Sequence, residues 1–375
     1  MRLASYNVEN LFERAKILNQ TEWVNGIDSE TMLVSGQKVL EGVAKLNALI
    51  AQQTYSSTDK IEIVRLMEAL GLKEKDESDF VILRRNRGKF VTRKNGTLKV
   101  VANGREDWIG WLELKTEAVN ERATQNTARV IRNIDPQIMV VVEAEHRPSL
   151  VMFNEQILYP IANWRFDHAL LIDGNDTRGI DVGLFTRAPF AIDFMRSHVD
   201  DMVDGMRVFN RDCAEYHISL PGSRNLVILA NHFKSKANDN EALRKKQAKR
   251  VREIYEGLRA SNIDLIAVMG DLNDSPDSES LAPLLRDGSD LKDASEIEGF
   301  DFAGRPGTWG DGKAKDKIDY ILMSPALFQL ARGGGIYRAG VWGGKDGTLF
   351  PHLPEITNAA QAASDHAAIY VDLDL

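Results

Sequence analysis

Six short polar motifs border apolar runs that are typical of buried β-strands, and their residue types could act together chemically. The polar residues are Asn7 and Glu9 in ASYNVEN, Glu143 and Glu145 in MVVVEAEH, Asn231 and His232 in LANHFKS, Asp271, Asn273 and Asp274 in VMGDLND, Asp319 in KIDYILM, and Asp365 and His366 in SDHAAIYV. Charged groups so close to apolar runs are costly to desolvate unless they are paired or bind a metal ion. A helix cap, a turn or a buried ion pair explains any single motif, but six of them favour one shared site.

The residue types favour a hard divalent cation. One cysteine, Cys213, and the lack of an HExxH motif argue against a zinc site. Carboxylate and asparagine oxygens suit Mg²⁺ first, and Mn²⁺ or Ca²⁺ next. A hard cation beside a His–Asp pair fits phosphoryl chemistry, in which a carboxylate orients or deprotonates water and histidine stabilises the transition state. No GxSxG motif is present and Cys213 has no obvious partner, so a covalent nucleophile is not indicated.

The elements that must position these residues alternate along the chain. Apolar runs predict strands at Leu3–Tyr6, Ile138–Val142, Val182–Phe185, Leu226–Ala230, Leu265–Met269, Tyr320–Met323 and Ala367–Val371. Helical periodicity predicts helices at Val39–Gln52, Ile61–Leu70, Ala118–Ile134, Leu150–Leu158, Glu241–Arg259 and Leu281–Leu285. With hairpin-like sections near Arg87–Val101 and Arg207–Leu229, this order indicates a layered α/β domain. Asn95–Gly96 is typical of a two-residue hairpin turn, and the glycine-rich stretch Gly333–Gly347 is expected to be a surface loop.

Residues 13–117 carry almost none of the motifs, so we expect one domain over residues 1–375 with an insertion at about 13–117. The insertion contains a first basic segment of Arg84, Arg85, Arg87, Lys89, Arg93, Lys94 and Lys99. A second basic segment consists of Lys234, Lys236, Arg244, Lys245, Lys246, Lys249, Arg250 and Arg252. In a chain of formal net charge −8, these residues could steer a polynucleotide, or they could be solvated faces of a hairpin and a helix. The insertion would then either grip substrate or act as a stabilising lid.

The composition, with 43% apolar and 27% charged residues, is typical of a soluble globular protein. No apolar run approaches the roughly 18 residues that span a bilayer. The stretch MRLASYNVENLF lacks a signal-peptide pattern, and one cysteine fits a reducing compartment. We therefore expect a cytoplasmic protein without a membrane partner.

In their order and spacing, the motifs resemble those of the endonuclease/exonuclease/phosphatase superfamily, which includes DNase I, exonuclease III-type abasic-site endonucleases, sphingomyelinases and inositol polyphosphate 5-phosphatases. The resemblance covers residues 1–12 and about 125–375, and GDLND, KIDYIL and SDH are its most specific parts. It implies a DNase I-like four-layer α/β sandwich, in which two mixed β-sheets are flanked by helices.

The resemblance also implies roles for individual residues. Asn7, Glu143 and Asp365 match the metal ligands, with Asp271 as a further candidate ligand. Glu145 competes with Glu143, which is favoured because it directly follows the apolar run.

The catalytic residues that the resemblance implies lie in four of the motifs. Asp271 matches the aspartate that orients the attacking water, and Asn273 beside it would contact phosphate or a second metal. His366, held by Asp319, matches the catalytic His–Asp pair. His232 matches the histidine that approaches the phosphate or the leaving oxygen.

Two more residues are candidate phosphate ligands, Asn231 beside His232 and Arg178 in RGIDVGLF. The expected activity is Mg²⁺- or Mn²⁺-dependent hydrolysis of a phosphodiester, with DNA as the first candidate substrate and nucleic-acid partner. The alternative is a small phosphorylated metabolite, an inositol phosphate or a phospholipid headgroup, because one fold can host several substrates.

Overall fold

A computed structural model of the chain describes residues 1–9, 36–116, 120–176, 179–222, 224–236 and 240–375. The predicted phosphate ligand Arg178 lies outside these residues, as do residues 13–35 and 117 of the predicted insertion. The chain divides into a first unit, Met1–Phe12 with Val119–Leu375, and a second unit, Glu13–Ala118. That the whole chain is one domain with an insertion stays a prediction.

The elements of both units follow in chain order. The strands are β1 (Arg2–Asn7), β2 (Val81–Gly88), β3 (Val91–Lys94), β4 (Thr97–Val100), β5 (Trp108–Leu114), β6 (Ile138–Ala144), β7 (His168–Leu171), β8 (Asp181–Thr186), β9 (Ile192–Arg196), β10 (Met202–Val203), β11 (Met206–Arg207), β12 (Cys213–Leu220), β13 (Arg224–His232), β14 (Leu265–Asp271), β15 (Lys292–Asp293), β16 (Asp319–Met323), β17 (Ala331–Tyr337) and β18 (Ala368–Leu373). The helices are α1 (Gly36–Ile50), α2 (Ser57–Ala69), α3 (Glu121–Ile134), α4 (Arg147–Met152), α5 (Tyr159–Ala162), α6 (Glu241–Ala260), α7 (Ala282–Leu285) and α8 (Pro325–Gln329). A π-helical segment, Phe153–Leu158, joins α4 to α5.

Two mixed six-stranded sheets form the framework of the first unit. One has the order β17-β18-β1-β6-β8-β7, and the other has the order β15-β16-β14-β13-β12-β9. Within each sheet one inner pair is parallel, β1 with β6 and β13 with β14. The remaining pairs are antiparallel. This connectivity brings the first and last strands of the chain side by side.

Period-two alternation explains why the sheets stack in layers. In β6, Ile138 and Val140 pack in a core between the two sheets, whereas Met139 and Val141 pack against the helices α3 and α4. The second sheet likewise buries its other face against α6 and α7, for example through Val268. Helices, sheet, sheet and helices therefore form four layers, and the predicted DNase I-like α/β sandwich is confirmed.

The second unit has its own apolar core, built from α1, α2 and two small antiparallel sheets, β2-β5 and β3-β4. Phe90 and Trp108 stack at its centre, with ring centroids 4.0 Å apart. The predicted hairpin turn is present between β3 and β4, where Asn95 and Gly96 have φ of 50° and 73°.

The predicted helices and strands are confirmed in kind for the described residues, which exclude Ala118 of the predicted helix Ala118–Ile134. The loop expected over Gly333–Gly347 is present from residue 338 onward but is wrong for its first part. Gly333 to Gly335 belong to the edge strand β17, not to a surface loop. Glycine fits this strand because a Cβ on Gly335 would lie 2.9 Å from the carbonyl oxygen of Asp301. Among the described helices, none is long and apolar enough to cross a bilayer.

Candidate active site

Strand ends bring four polar side chains to one edge between the two sheets of the first unit, called the rim below: Asn7, His232, Asp271 and Asp319. β1, β13 and β14 end at the first three residues, and the antiparallel strand β16 begins at the fourth. Each lies an even number of positions from a residue of the inter-sheet core, so alternation points all four side chains to the same side of their sheets. The strand registers place His232 opposite Asp271, and Asp271 opposite Asp319.

His366 lies just before β18 and joins the rim through Asp319. Its Nδ1–H donates to Asp319 Oδ2 over 2.9 Å, and its Nε2 lies 4.0 Å from Asp271 Oδ2. All three side chains are buried, and one possible ligand atom from each lies within 4.8 Å of the others. Asp319 Oδ1 is buried and has no hydrogen-bond partner within the part of the chain that the structure describes. Asp319 Oδ1 is therefore available to accept a hydrogen bond or to bind a cation.

Burial and the charge of Asp319 raise the pKa of Asp271 well above its ordinary value. Burial alone would lower the pKa of His366, but the charges of Asp319 and Asp365 outweigh it and raise that pKa well above its ordinary value. Two buried carboxyl groups this close repel each other when both are ionised, and a nearby cation offsets that repulsion. The residues present therefore fit a bound divalent cation.

Asn7 connects the first sheet to this cluster. Its Nδ2–H donates to Asp271 Oδ2 over 3.3 Å, and Nδ2 lies 3.5 Å from His366 Nε2. Its Oδ1 accepts from the backbone N–H of Glu9 at 3.1 Å, and Glu9 has a left-handed φ of 49°. Ser364 Oγ–H donates to the carbonyl oxygen of Asn7 at 2.7 Å and accepts from the backbone N–H of His366 at 3.0 Å. Asn7 and His366 are thus fixed relative to each other.

Asp365 is held by two contacts that sequence motifs do not reveal. Its backbone N–H donates to Glu9 Oε2 at 3.0 Å, and Trp309 Nε1–H donates to Asp365 Oδ2 at 2.8 Å. Asp365 Oδ1 lies 3.8 Å from His366 Nε2, and half of the Asp365 side chain (50%) is exposed. Trp309 is itself 43% exposed. A carboxylate that faces solvent is therefore held in place by an indole.

Glu143 occupies a bulge in β6, where its φ is 65° and the pairing with β8 shifts. Glu143 Oε1 lies 3.8 Å from His232 Nε2, and the same nitrogen lies 3.8 Å from Asp271 Oδ2. Glu145 is buried two residues further on. The geometry thus brings Glu143 to the rim, as its position after the apolar run favours.

Asn231 is not brought to the cluster. Its side chain is fully buried, and its Nδ2–H donates to the carbonyl oxygen of Leu229 at 2.9 Å. Because Asn231 precedes His232 in the same strand, alternation points its side chain toward the opposite face of the sheet. Its role as a phosphate ligand stays a prediction.

Asn273 lies two residues after Asp271, and its side chain donates to the same backbone carbonyl as Arg211, a residue outside the sequence motifs. The backbone N–H of Asn273, at φ 55°, donates to Asp271 Oδ1 at 2.8 Å. Its Nδ2–H donates to the carbonyl oxygen of Phe233 at 3.1 Å, and Arg211 Nη1–H donates to the same oxygen at 2.8 Å. Arg211 is fully buried, and its Nε lies 2.7 Å from Asp176 Oδ2. The sequence signal for Arg211 is the charged pair Arg211–Asp212, which directly precedes strand β12.

Comparison with known proteins places these residues in a family context. The model of the Endonuclease/Exonuclease/phosphatase family matches residues 116–366, which is more than half of the chain. The match includes GDLND and KIDYIL and ends at His366. A comparison with curated proteins finds no match.

Several solved structures are similar to this chain at low sequence identity. A mannosyl-6-phosphatase of Bacteroides thetaiotaomicron VPI-5482 is 18% identical with a TM-score of 0.49, and the similarity covers 68% of this chain and 91% of that one. Truncated TDP2 of Caenorhabditis elegans is 17% identical with a TM-score of 0.46, covering 67% and 89%. The human Nocturnin catalytic domain is 14% identical with a TM-score of 0.48, covering 68% and 86%.

Proposed function

This chain belongs to the endonuclease/exonuclease/phosphatase family, and from that premise we propose that it is a divalent-metal-dependent phosphodiesterase. The family acts hydrolytically on phosphate esters. The observation that carries the proposal is the buried His366–Asp319 hydrogen bond of 2.9 Å, which faces Asp271 and Asn7 at the rim. A histidine held by a carboxylate beside a second carboxylate is suited to acid–base chemistry on a phosphate.

Asn7, Glu143, Asp271 and Asp365 would hold the cation. Their oxygen donors suit Mg²⁺ or Mn²⁺, with Ca²⁺ next. When bound, the cation neutralises charge on the phosphate. Asn7, Asp271 and Asp365 each have a polar atom within 4.0 Å of His366 Nε2, and the set does not require His366 as a ligand.

We assign His366 to catalysis although its nitrogens lie near possible metal ligands. The hydrogen bond to Asp319 occupies Nδ1, and the raised pKa of His366 favours the imidazolium, which cannot bind a metal. The Nε2–H of that imidazolium would donate to a phosphate oxygen as negative charge develops. Asp319 acts by fixing the orientation of the ring.

Asp271 would orient the attacking water and accept its proton. Its carboxylate is buried and lies 4.0 Å from His366 Nε2, so a water held by Asp271 would lie close to the phosphate that His366 contacts. Asn273, whose backbone N–H donates to Asp271, would contact phosphate, and His232 would approach the leaving oxygen from the neighbouring strand. Asn231 and Arg178 remain candidate phosphate ligands.

DNA is our first candidate substrate and the cytoplasm our proposed compartment, which the buried free thiol of Cys213 suits. Residues 81–105 support a polynucleotide, because they contain eight basic residues and no acidic one. The second basic segment gives a polynucleotide less support, which keeps a small phosphate ester as the alternative substrate. Six of its eight cations are paired with carboxylates of the protein: Lys236, Arg244, Lys245, Lys246, Arg250 and Arg252.

The activity is tested with bis-p-nitrophenyl phosphate and with plasmid, linear and single-stranded DNA. EDTA should abolish hydrolysis, and Mg²⁺ or Mn²⁺ should restore it. His366→Ala should lower the rate by about 100- to 10,000-fold because it removes the acid, whereas His168→Ala, on an exposed residue, should leave it unchanged. Substantial hydrolysis by folded His366→Ala, or rescue by Zn²⁺ alone, contradicts the proposal.

A salt titration distinguishes the two substrate classes. Binding of a polynucleotide should weaken steeply with salt, because phosphate contacts release counterions. Turnover of a small phosphate ester should change much less. A flat salt dependence with DNA would favour the small substrate.

A further inference from the structure

The β2-β5 sheet of the second unit has one buried face and one exposed face. On the exposed face, Arg84 lies directly opposite Trp111, and Arg87 lies opposite Ile109 after a bulge. Trp111 is 44% exposed, whereas Trp108 in the same strand is buried in the core of the unit. Exposed tryptophan is uncommon on a surface without a partner, because its ring is large and largely apolar.

The electrostatics of this face are positive. β2 contributes Arg84, Arg85 and Arg87 and no acidic residue, whereas β5 contributes one acidic residue, Glu113, and no basic one. Arg84 pairs with Glu113, and Arg85 pairs with Asp76. Among the residues that the structure describes, Arg87 has no ion-pair partner. The end of β2 therefore keeps an uncompensated positive charge opposite Ile109, two positions along β5 from Trp111.

Glu113 also fixes the tryptophan. Its Oε1 accepts from Trp111 Nε1–H at 2.7 Å, and its Oε2 accepts from Arg84 Nε–H at 2.7 Å. One carboxylate thus holds the indole and the guanidinium side by side. This arrangement lowers the entropy that either side chain would lose when it contacts a ligand.

We propose that the exposed β2-β5 face binds single-stranded nucleic acid, with a base stacked on Trp111 and phosphates beside Arg84 and Arg87. Every base has a π-face that stacks on an aromatic ring, and arginine contacts the phosphate backbone. A duplex hides its base faces, and an acidic peptide offers charge without a base to stack. Single-stranded nucleic acid therefore fits both features of the face.

This inference rests on the proposed function, because it names the polymer and the surface that would hold it. The test measures fluorescence anisotropy of a labelled oligothymidylate with the full chain in EDTA, so that no cleavage occurs. Trp111→Ala should weaken binding about tenfold, and Trp111→Phe should retain most of it. Arg87→Glu should weaken binding and also reduce its salt dependence.

Matched controls come from exposed residues elsewhere. Lys45→Glu makes the same charge change as Arg87→Glu on α1, and Tyr159→Ala removes another exposed aromatic ring. Neither should alter binding. Unchanged binding by Trp111→Ala, equal losses in the controls, or equally effective competition by polyglutamate would each overturn the inference.

Hydrolysis of bis-p-nitrophenyl phosphate by the wild-type chain separates the two failures. Hydrolysis without oligonucleotide binding overturns the surface inference and leaves the phosphodiesterase intact. Oligonucleotide binding without hydrolysis overturns the phosphodiesterase proposal and leaves the surface inference intact.

Discussion

At the scale of single residues, the contact between Trp309 and Asp365 shows how a solvent-facing carboxylate can be kept in one orientation. Trp309→Phe removes the Nε1–H donor but keeps an aromatic ring. Asp365 is one of our proposed metal ligands, and residues that orient a ligand tune affinity, so we expect Mn²⁺ to bind about 10- to 100-fold more weakly. Isothermal titration calorimetry of the metal alone measures this change directly.

A second tryptophan supplies the control. Trp342 Nε1–H donates to the carbonyl oxygen of Lys345 at 3.3 Å, so Trp342→Phe makes the same chemical change at a different contact. It should leave Mn²⁺ affinity as it is. Equal affinities for both variants would show that Trp309 does not support a metal ligand.

Sequence motifs identify residues at strand ends and miss residues that act through tertiary contacts. Asp271 and Asp319 are detectable because a carboxylate that borders an apolar run is costly to desolvate unless it is paired or binds a metal ion. Trp309 and Arg211 lie outside the named strands and helices, and their partners are distant in sequence. Asn231 shows what adjacency leaves open, because it neighbours His232 in the chain while strand alternation points the two side chains to opposite faces of the sheet.

At the scale of elements, the bulge in β6 places a non-glycine residue, Glu143, at φ 65°. Both Glu143→Ala and Glu143→Gly remove the carboxylate, but glycine adopts this backbone without steric strain. Glu143→Gly should therefore be about 1 kcal/mol more stable than Glu143→Ala. Urea unfolding of the two variants makes the comparison, and equal free energies of unfolding would mean that the bulge stores no strain.

Another element-scale prediction concerns the segment between β9 and β10. Buried His198 lies 3.1 Å from Asp201 and 3.0 Å from Glu215. Burial alone lowers the pKa of His198, but these carboxylates raise it overall. Arg250 also pairs with Asp201, and His217 pairs with Glu215.

A raised histidine pKa stabilises the folded chain fully below the unfolded value, about 6.5, and this contribution is lost as pH rises through the folded pKa. Wild type should therefore exceed His198→Gln in unfolding free energy by more at about pH 6 than at about pH 9. Glu215, whose pKa is lowered by the two histidines despite its burial, remains ionised at both values. A difference in unfolding free energy between wild type and His198→Gln that is larger at about pH 9 than at about pH 6 would contradict a positively charged His198.

Element prediction succeeded where one physical signal dominated. Continuous apolar runs located the inner strands β6, β13 and β14, because both faces of those strands are buried. β17 was missed because its three glycines have no side chains that could form an apolar run, although Gly334 and Gly335 lie close to Tyr370 of β18. β2 was missed because basic residues occupy its exposed positions.

At the scale of the whole molecule, the two units have separate cores. Leu46→Ala removes a fully buried side chain from the second unit and should cost about 2–5 kcal/mol there. Hydrogen exchange followed by mass spectrometry should show lost protection in residues 36–116 and retained protection in residues 120–375. Ile228→Ala, in the core of the first unit, should give the converse pattern. If either variant lost hydrogen-exchange protection throughout the chain, the two units would unfold as one cooperative unit.

The position of β1 has a consequence for biosynthesis. Asn7 lies 3.5 Å from His366, although 359 positions separate them in the chain. A ribosome makes β1 before every other described strand and its partner β18 after them. We expect a nascent chain to stay catalytically silent until residues 365 and 366 emerge. In vitro translation of messages truncated before Asp365 should yield products without hydrolysis, so the cell would meet this hydrolytic activity only after the last motif is synthesised.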